Sequence, residues 1–484
     1  MPMTSFFRLF NDARMRWLVL GITAFLFLFG QSTRTRLTTD PAFYAAVAKT
    51  MADSNDFSTL RFGDEPYYIK PPLLFWLAAV AIKIFGPNVF AVTLFSRIFG
   101  LGCVLLTAWL GAHLYGARVG WAAALILATT HLFFRGAATF RLDPALTFGI
   151  LLALYGYFKG ERKWGPTLFY LGVSIGVLAK GPPGLLPLLI APVHAVFSAP
   201  TGSWLKQAVR WIAWSPLLLL PLSWWLYLFL TDGILPFTAL YQDLLRTKGG
   251  LKPNFAGLWT IYGRGFLETY WPWLPLALAG VWLFARDALS PLRERHQRAA
   301  AGFFLVWVGV VFASCLFKRA QYLRYVFIAL PAISVMAAHA LVHLAGEKFI
   351  DRLPAAVALL ALIAALGLAC FPPARSLSEL DQYQAIAEIL DHRLGPKDPV
   401  PLVKLKAGKR GPDPELSRGE RAVSRFYFGR SVRLVSLDEL REWSGRERVT
   451  LLVRRDELPK VSVELPLEML IAGDTHILAE VAHR

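Results

Sequence analysis

Arg141-Leu142-Asp143-Pro144-Ala145-Leu146-Thr147-Phe148-Gly149-Ile150-Leu151-Leu152-Ala153-Leu154-Tyr155 sets a single carboxylate at the mouth of a long apolar run. Crossing a bilayer takes about 20 mostly apolar residues, with a range of about 17–25, so residues 143–159 read as a transmembrane helix. Only one other acidic residue, Glu161, lies between Pro66 and Thr231. An ionisable group at a membrane boundary is costly unless paired or near water, which makes Asp143 a candidate site residue. The same residues also read as an ordinary helix start, with Asp as the cap and Pro at the first helical position. Both readings stay open in the sequence.

Comparable apolar runs lie on either side, at 15–32, 88–114, 119–135, 165–181, 183–200, 210–231, 270–286, 300–317, 325–345 and 354–372. The expected architecture is therefore an all-α polytopic membrane protein of about 11–13 spans. The run Leu73–Phe85 follows Pro71-Pro72 and is short, which suits an interfacial or re-entrant helix. No cleavage site follows the apolar stretch 17–30, which reads as an uncleaved first span.

The chain is 55% hydrophobic and only 17% charged, against about 25% charged in soluble domains. Residues 1–371 hold 32 Lys/Arg and 15 Asp/Glu, whereas residues 372–484 hold 19 and 18. A basic, apolar body (1–372) thus precedes a tail (373–484) of ordinary globular composition. The basic excess sits between apolar runs, which argues against nucleic acid and leaves lipid head groups and phosphate as partners. Cys103, Cys315 and Cys370 lie in or beside apolar runs without metal-ligand spacing, and no disulfide framework is inferred. None of the nine histidines forms a ligand pair, so His113, His131, His194 and His343 take structural or interfacial roles.

Basic residues flanking the spans orient the chain. With Arg8, Arg14 and Arg16 cytoplasmic, the basic segments 159–163 and 286–298 are also inside. Two long loops (33–71 and 232–269) and the tail then lie outside the cytoplasm, in a multi-pass protein of the inner, or plasma, membrane. In the tail, 376–394 reads as a helix ending at Gly395, followed by β-type runs at 432–435, 449–453 and 461–465, a small α/β domain.

The first outer loop carries Thr38-Thr39-Asp40-Pro41-Ala42-Phe43-Tyr44, another Asp-Pro helix start, and then Glu65-Pro66-Tyr67-Tyr68-Ile69-Lys70-Pro71-Pro72. Asp40 reads as a cap or as a site carboxylate. Lys70 reads as a snorkelling interfacial lysine or as a phosphate ligand. Trp259, Tyr262, Tyr270 and Trp271 read as an aromatic belt or as sugar-stacking rings.

In this order the elements resemble the bacterial lipid A aminoarabinose transferases and the wider protein O-mannosyltransferase superfamily with the GT-C fold. Leu178-Ala179-Lys180-Gly181-Pro182 is similar to a family Lys-Gly-Pro between spans, and 318–331, with Tyr322, Arg324-Tyr325 and Leu330-Pro331, to its late outer-loop element. The likeness covers roughly 15–345. It implies that Asp40 is the catalytic carboxylate, that Asp143 is a second acidic site residue, and that Tyr67, Lys70 and Tyr322 grip a lipid phosphate. The family's second carboxylate after Asp40 is Pro41 here, the Arg often found before its Tyr is Phe43, and the metal-holding Glu before Lys-Pro is Ile69. No metal or cofactor is therefore assigned, and the acceptor (lipid A-type lipid, other glycan or protein) is left open.

A sugar on polyprenyl phosphate already carries a good leaving group, so catalysis needs a base for the acceptor and stabilisation of the departing phosphate. Asp40 fits the first need. Lys70, Lys180 and Arg324, with Tyr67 and Tyr322 as hydrogen-bond donors, fit the second. A single displacement inverts the anomeric carbon, by analogy with inverting glycosidases. The alternative is a polyprenyl-lipid transporter or flippase, for which repeats and broken midplane helices would speak. A third class, a scaffold or a membrane acyltransferase, lacks the histidine-based site that acyl transfer calls for.

Overall fold

The computed structural model describes residues 37, 40–160, 164–198, 215–247, 255, 258–316 and 322–345. In the tail it describes 386, 389–390, 392–394, 399–403, 432–444, 449–454, 458–465, 467–472 and 476–481. These residues form two compact units, one containing 67–77 and 93–371 and the other 33–66, 78–92 and 372–484. The expected spans 15–32 and 354–372 lie outside the described residues, as does Cys370.

Helices dominate, as apolar segments in a bilayer must satisfy their backbone polar groups internally. In chain order they are α1 (Asp40–Ser54), then the two-stranded hairpin β1 (Arg61–Phe62) and β2 (Glu65–Pro66), then α2 (Leu73–Phe85), α3 (Val89–Tyr115), α4 (Ala117–Thr129), α5 (His131–Ala138), α6 (Asp143–Lys159) and α7 (Gly165–Lys180). After a 3-10 turn at Pro182–Leu185 come α8 (Pro187–Ser198), α9 (Leu219–Asp232), α10 (Leu235–Thr247), α11 (Arg264–Thr269), α12 (Leu274–Leu289) and α13 (Arg295–Leu316). A 3-10 segment, Leu323–Ala329, leads into α14 (Leu330–Ala345).

Among the described residues, α3, α13 and the continuous stretch Leu323–Ala345 are long and apolar enough to cross a membrane. The run read as one span at 119–135 is a pair, α4 and α5, bent by 66°, and α9 and α10 meet at 115°. α2 has 13 residues, about 20 Å at 1.5 Å per residue, short of the about 30 Å hydrocarbon core. It is not a span by length, as the sequence indicates.

α6 and α7 form an antiparallel pair held by glycines rather than by large side chains. A Cβ on Gly149 would stand 2.6 Å from the Gly172 carbonyl oxygen and 2.6 Å from the Gly176 nitrogen. Such small-residue seams let membrane helices approach backbone to backbone. Around them the first unit packs Trp307, Phe303, Phe304, Phe284, Phe133 and Phe327 into one buried aromatic core.

Within the second unit, α1 buries Phe43, Val47 and Met51, and the Phe43 ring stacks on Phe62 of β1 at 4.8 Å. Its tail forms a five-stranded mixed sheet in the order β4-β3-β5-β7-β6, where β3 is Val400–Val403, β4 Val432–Val435, β5 Val449–Arg454, β6 Leu467–Ala472 and β7 His476–Val481. β3 runs parallel to β4 and β5, and β7 is antiparallel to β5 and β6. The central strand β5 is buried on both faces, with Leu451 and Val453 in one cluster and Leu452 in another. Two helices accompany the sheet, α15 (Leu437–Ser444) and α16 (Leu458–Glu464).

The strand expected at 461–465 is instead mostly the end of α16. Val461 and Leu465, four residues apart, lie on one helical face and both bury in the cluster with Leu451 and Val453. Of the helix expected at 376–394, residues 386, 389–390 and 392–393 are described and helical.

Candidate active site

The antiparallel hairpin decides the geometry. Asp143 is the first residue of α6 and Lys180 the last of α7, so packing the two helices brings both charges to one end. There Lys180 Nζ donates to Asp143 Oδ1 in an ion pair. Asp143 is 4% exposed, and a carboxylate at that depth keeps its charge only with a partner.

The capping alternative is corrected by the same observation. The N-cap position is Leu142, which makes no side-chain cap bond, while the Asp143 carboxylate turns to Lys180.

Further cations surround the pair. Arg141 and Arg324 both act electrostatically on Asp143. Lys180 Nζ lies 5.8 Å from the centre of the Tyr325 ring, and the Arg324 guanidinium lies 4.6 Å over the Tyr322 ring. Tyr322 itself is half exposed. One carboxylate thus stands among three cations, a surplus of positive charge suited to an anion.

The Tyr67–Pro72 loop joins the same place from another direction. Gly181, at φ +83°, faces Pro71, whose Cγ would lie 3.8 Å from a Cβ there. Lys70 is half-buried on that loop and Tyr67 is buried. The Tyr67 ring meets Phe75 edge-on at 6.3 Å, and Phe75 meets Phe140 at 6.0 Å, which ties this loop to the residues leading into Asp143.

Asp143, Lys180 and Arg324 are therefore brought together, Tyr322 reaches the group through Arg324, and Lys70 stands on the adjoining loop. Asp40 belongs to the second unit, where it opens α1 and is half-buried. Arg141 and Tyr325 complete the cluster and were not assigned a role from the sequence, although Arg141 lies only two residues before the scarce Asp143.

Other sequence readings resolve more simply. Tyr262 and Tyr270 are core residues, not belt residues, and Tyr270 shares a 3.2 Å hydrogen bond with Ser334. Trp259 and Trp271 are exposed. His194 bridges the Tyr157 hydroxyl and the Ala299 carbonyl, both at 2.9 Å, a structural role. Among the described residues no three His, Cys, Asp or Glu side chains gather as a ligand set.

Residues 69–227 match the dolichyl-phosphate-mannose-protein mannosyltransferase family. The fold is that of ArnT. The crystal structure of ArnT from Cupriavidus metallidurans bound to undecaprenyl phosphate superposes with a TM-score of 0.70 at 14% identity, covering 96% of this chain and 97% of that one. The apo form of that ArnT gives 0.66 at 16% identity, covering 97% and 98%. In sequence, the chain is 27% identical over 345 residues to an undecaprenyl phosphate-alpha-4-amino-4-deoxy-L-arabinose arabinosyl transferase of Pseudomonas paraeruginosa, covering 69% of this chain and 60% of that protein. It is 26% identical over 310 residues to an uncharacterized protein of Aquifex aeolicus, covering 61% and 58%. The chain thus spans about 60% of the length of these curated relatives. The GT-C resemblance read from the ordered motifs holds, and the chain is a mostly helical membrane protein with an ArnT-like fold and a small C-terminal mixed sheet.

Proposed function

We propose that this chain is a membrane glycosyltransferase that moves a sugar from a polyprenyl-phosphate carrier to an acceptor outside the cytoplasm. The observation that carries the reading is the Asp143–Lys180 pair set among Arg141 and Arg324, beside the loop bearing Lys70. A surplus of half-buried cations at a helix end is what a departing lipid phosphate needs. The matched family and the ArnT bound to undecaprenyl phosphate support that donor class.

In this reading Asp40 takes the proton of the acceptor's nucleophilic group. That group attacks the anomeric carbon while the bond from that carbon to the phosphate oxygen breaks, and polyprenyl phosphate leaves with the electron pair. Lys70, Lys180 and Arg324 meet the developing phosphate charge, with Tyr67 and Tyr322 donating hydrogen bonds. Asp143 holds Lys180 in place and keeps its charge. A single displacement inverts the anomeric centre. The catalytic body spans 1–372, and the tail from 373 lies with the site outside the cytoplasm, in the inner membrane. The acceptor is a lipid A-type lipid, another glycan or a protein.

The test is direct. Purified chain in lipid nanodiscs is given synthetic polyprenyl-phosphate-linked sugars, and release of polyprenyl phosphate is followed with envelope lipids, glycans and peptides as acceptors. Release that is lost in Lys180→Ala and Arg324→Ala supports the reading. Absence of release from every donor tried, with folded wild-type protein, overturns it.

A further inference from the structure

α3 carries an arginine in the middle of its apolar sequence, and the proposed chemistry does not use it. Arg97 is fully buried. Its Nε donates to Thr93 Oγ1 at 3.0 Å, and Nη2 donates to the carbonyl oxygen of Ala138 at 3.1 Å. The adjacent Ser96 donates to the Arg141 carbonyl at 3.0 Å and accepts the Arg141 N–H at 3.3 Å. One to two turns further, Cys103 Sγ lies 3.4 Å from the Pro144 carbonyl oxygen. Ser96, Arg97 and Cys103 lie along the side of α3 that meets residues 138–144 and grip both sides of that corner.

The corner is where a grip is needed. Ala138 ends α5, and the last carbonyls of a helix have no partner within it. A guanidinium supplies several donors in a fixed fork and a positive charge at the negative end of the helix. A charged side chain inside an apolar span is costly and marks function by default. Here the residues it restrains are the four that separate α5 from Asp143.

We infer that Arg97 is a positioning residue: together with Ser96 it fixes the 138–142 corner and so aims Asp143 at Lys180 and holds Arg141 beside that pair. This rests on the functional reading above, in which those groups serve the lipid phosphate. Misplacing a catalytic set by about 1 Å costs up to about 100-fold, so the effect is expected in turnover.

The experiment compares Arg97→Met, Arg97→Lys and Ser96→Ala with wild type as full chains in nanodiscs. Melting temperature, hydrogen exchange at residues 139–142, and kcat and KM for a polyprenyl-phosphate-linked sugar are measured. Arg97→Met should melt close to wild type and exchange faster at 139–142, with kcat lowered about 10- to 100-fold at nearly unchanged KM. Arg97→Lys should recover part of that loss by reaching one carbonyl, and Ser96→Ala should show a milder form of both effects. On an Asp143→Asn background, Arg97→Met should cost clearly less than on wild type, because part of its effect runs through Asp143.

Unchanged exchange at 139–142, full kcat, or a multiplicative loss on the Asp143→Asn background would overturn the inference. If Arg97→Met does not fold, Ser96→Ala decides: faster exchange with lower kcat supports the inference, and neither change refutes it. If wild type uses no polyprenyl-phosphate donor, the functional reading fails separately, and the exchange at 139–142 alone decides whether Arg97 holds the corner.

Discussion

Asp143 is buried against the half-buried Lys180, so removing the lysine alone should harm the protein more than removing both charges. Lys180→Met removes the cation hydrogen-bonded to the buried carboxylate, leaving Arg141 and Arg324 to act on it, and should lower stability by up to about 3–5 kcal/mol. The double variant Asp143→Asn/Lys180→Met should recover most of that melting temperature while remaining inactive. A double variant no more stable than Lys180→Met would mean that the pair is not what burial depends on. Asp40 calls for a different comparison. Asp40→Asn keeps size and capping capacity but removes the base, so turnover should fall about 10²–10⁴-fold with little change in melting. Wild-type turnover in that variant would reduce Asp40 to a helix start. Lys70→Ala should raise KM for the lipid donor in folded protein, and unchanged donor kinetics would leave Lys70 as a snorkelling side chain. Asp143 was legible because acidic residues are so rare in its part of the chain. Arg97 stood equally visible as a charge inside an apolar run, but nothing local says which loop returns to meet it. Arg141 failed for the same reason: its neighbour in sequence is plain, and the Ser96 hydroxyl that holds it is 45 residues away.

The α6–α7 hairpin does for the site what a disulfide does for a small domain, and its glycines are the vulnerable part. Gly149→Ala would place a methyl 2.6 Å from the Gly172 oxygen, on backbone that cannot swing aside. Such overpacking should cost about 1–3 kcal/mol and loosen the Asp143–Lys180 pair, with turnover falling more than melting. Gly302→Ala in α13, where a Cβ meets nothing within 4 Å, is the matched control and should leave melting within about 0.5 kcal/mol of wild type. Equal effects of the two changes would remove the special status of the hairpin. In the tail, Ser436 and Glu439 cap α15 reciprocally: Ser436 N–H donates to the Glu439 carboxylate at 2.9 Å, and Glu439 N–H donates to Ser436 Oγ at 3.2 Å. That first bond holds the Glu439 carboxyl below its ordinary value of 4.5. A lowered folded pKa means the stabilisation is complete above that ordinary value and is lost as pH falls through the lower one. Hydrogen exchange in α15, corrected for its intrinsic pH dependence, should therefore rise on acidification below it, and Glu439→Gln should abolish the response. Element type was legible where runs were long. The short run at 461–465 carries no period that separates strand from helix. Three strands were missed: β3, four residues long with Pro401 inside it, and β6 and β7, whose apolar positions are interrupted by Glu468 and Glu480. The 66° bend between α4 and α5 was likewise hidden, since hydropathy reports an apolar run and not its direction.

At the scale of the molecule, the proposed orientation, with the tail opposite the cytoplasm, rests on the basic segment 286–298 and the odd number of spans counted from the sequence. Reporter fusions after residue 375 should be active only outside, and fusions active only in the cytoplasm would reverse the orientation. Charge balance divides the sequence into an apolar body and a tail of globular composition, because lipid and water select such different compositions. The second compact unit instead joins 33–66 and 78–92 to 372–484. Which loops converge on the hairpin end was not legible either, since that depends on helix directions that composition does not record. The order in which the cluster's members occur along the chain has its own consequence during synthesis. Asp143 and Lys180 leave the ribosome within 37 residues of each other on one helical pair, so the carboxylate is neutralised as the hairpin enters the bilayer. Arg324 follows 144 residues later, on the order of 10–30 s at cellular elongation rates. For that interval the cluster has Arg141 and the Asp143–Lys180 pair but lacks Arg324, so its pull on an anion is weaker than in the finished chain. On the proposed function, a lipid phosphate in the surrounding membrane then meets the complete set of cations only once the last third of the body has been made, so an unfinished chain holds it less tightly than the finished one.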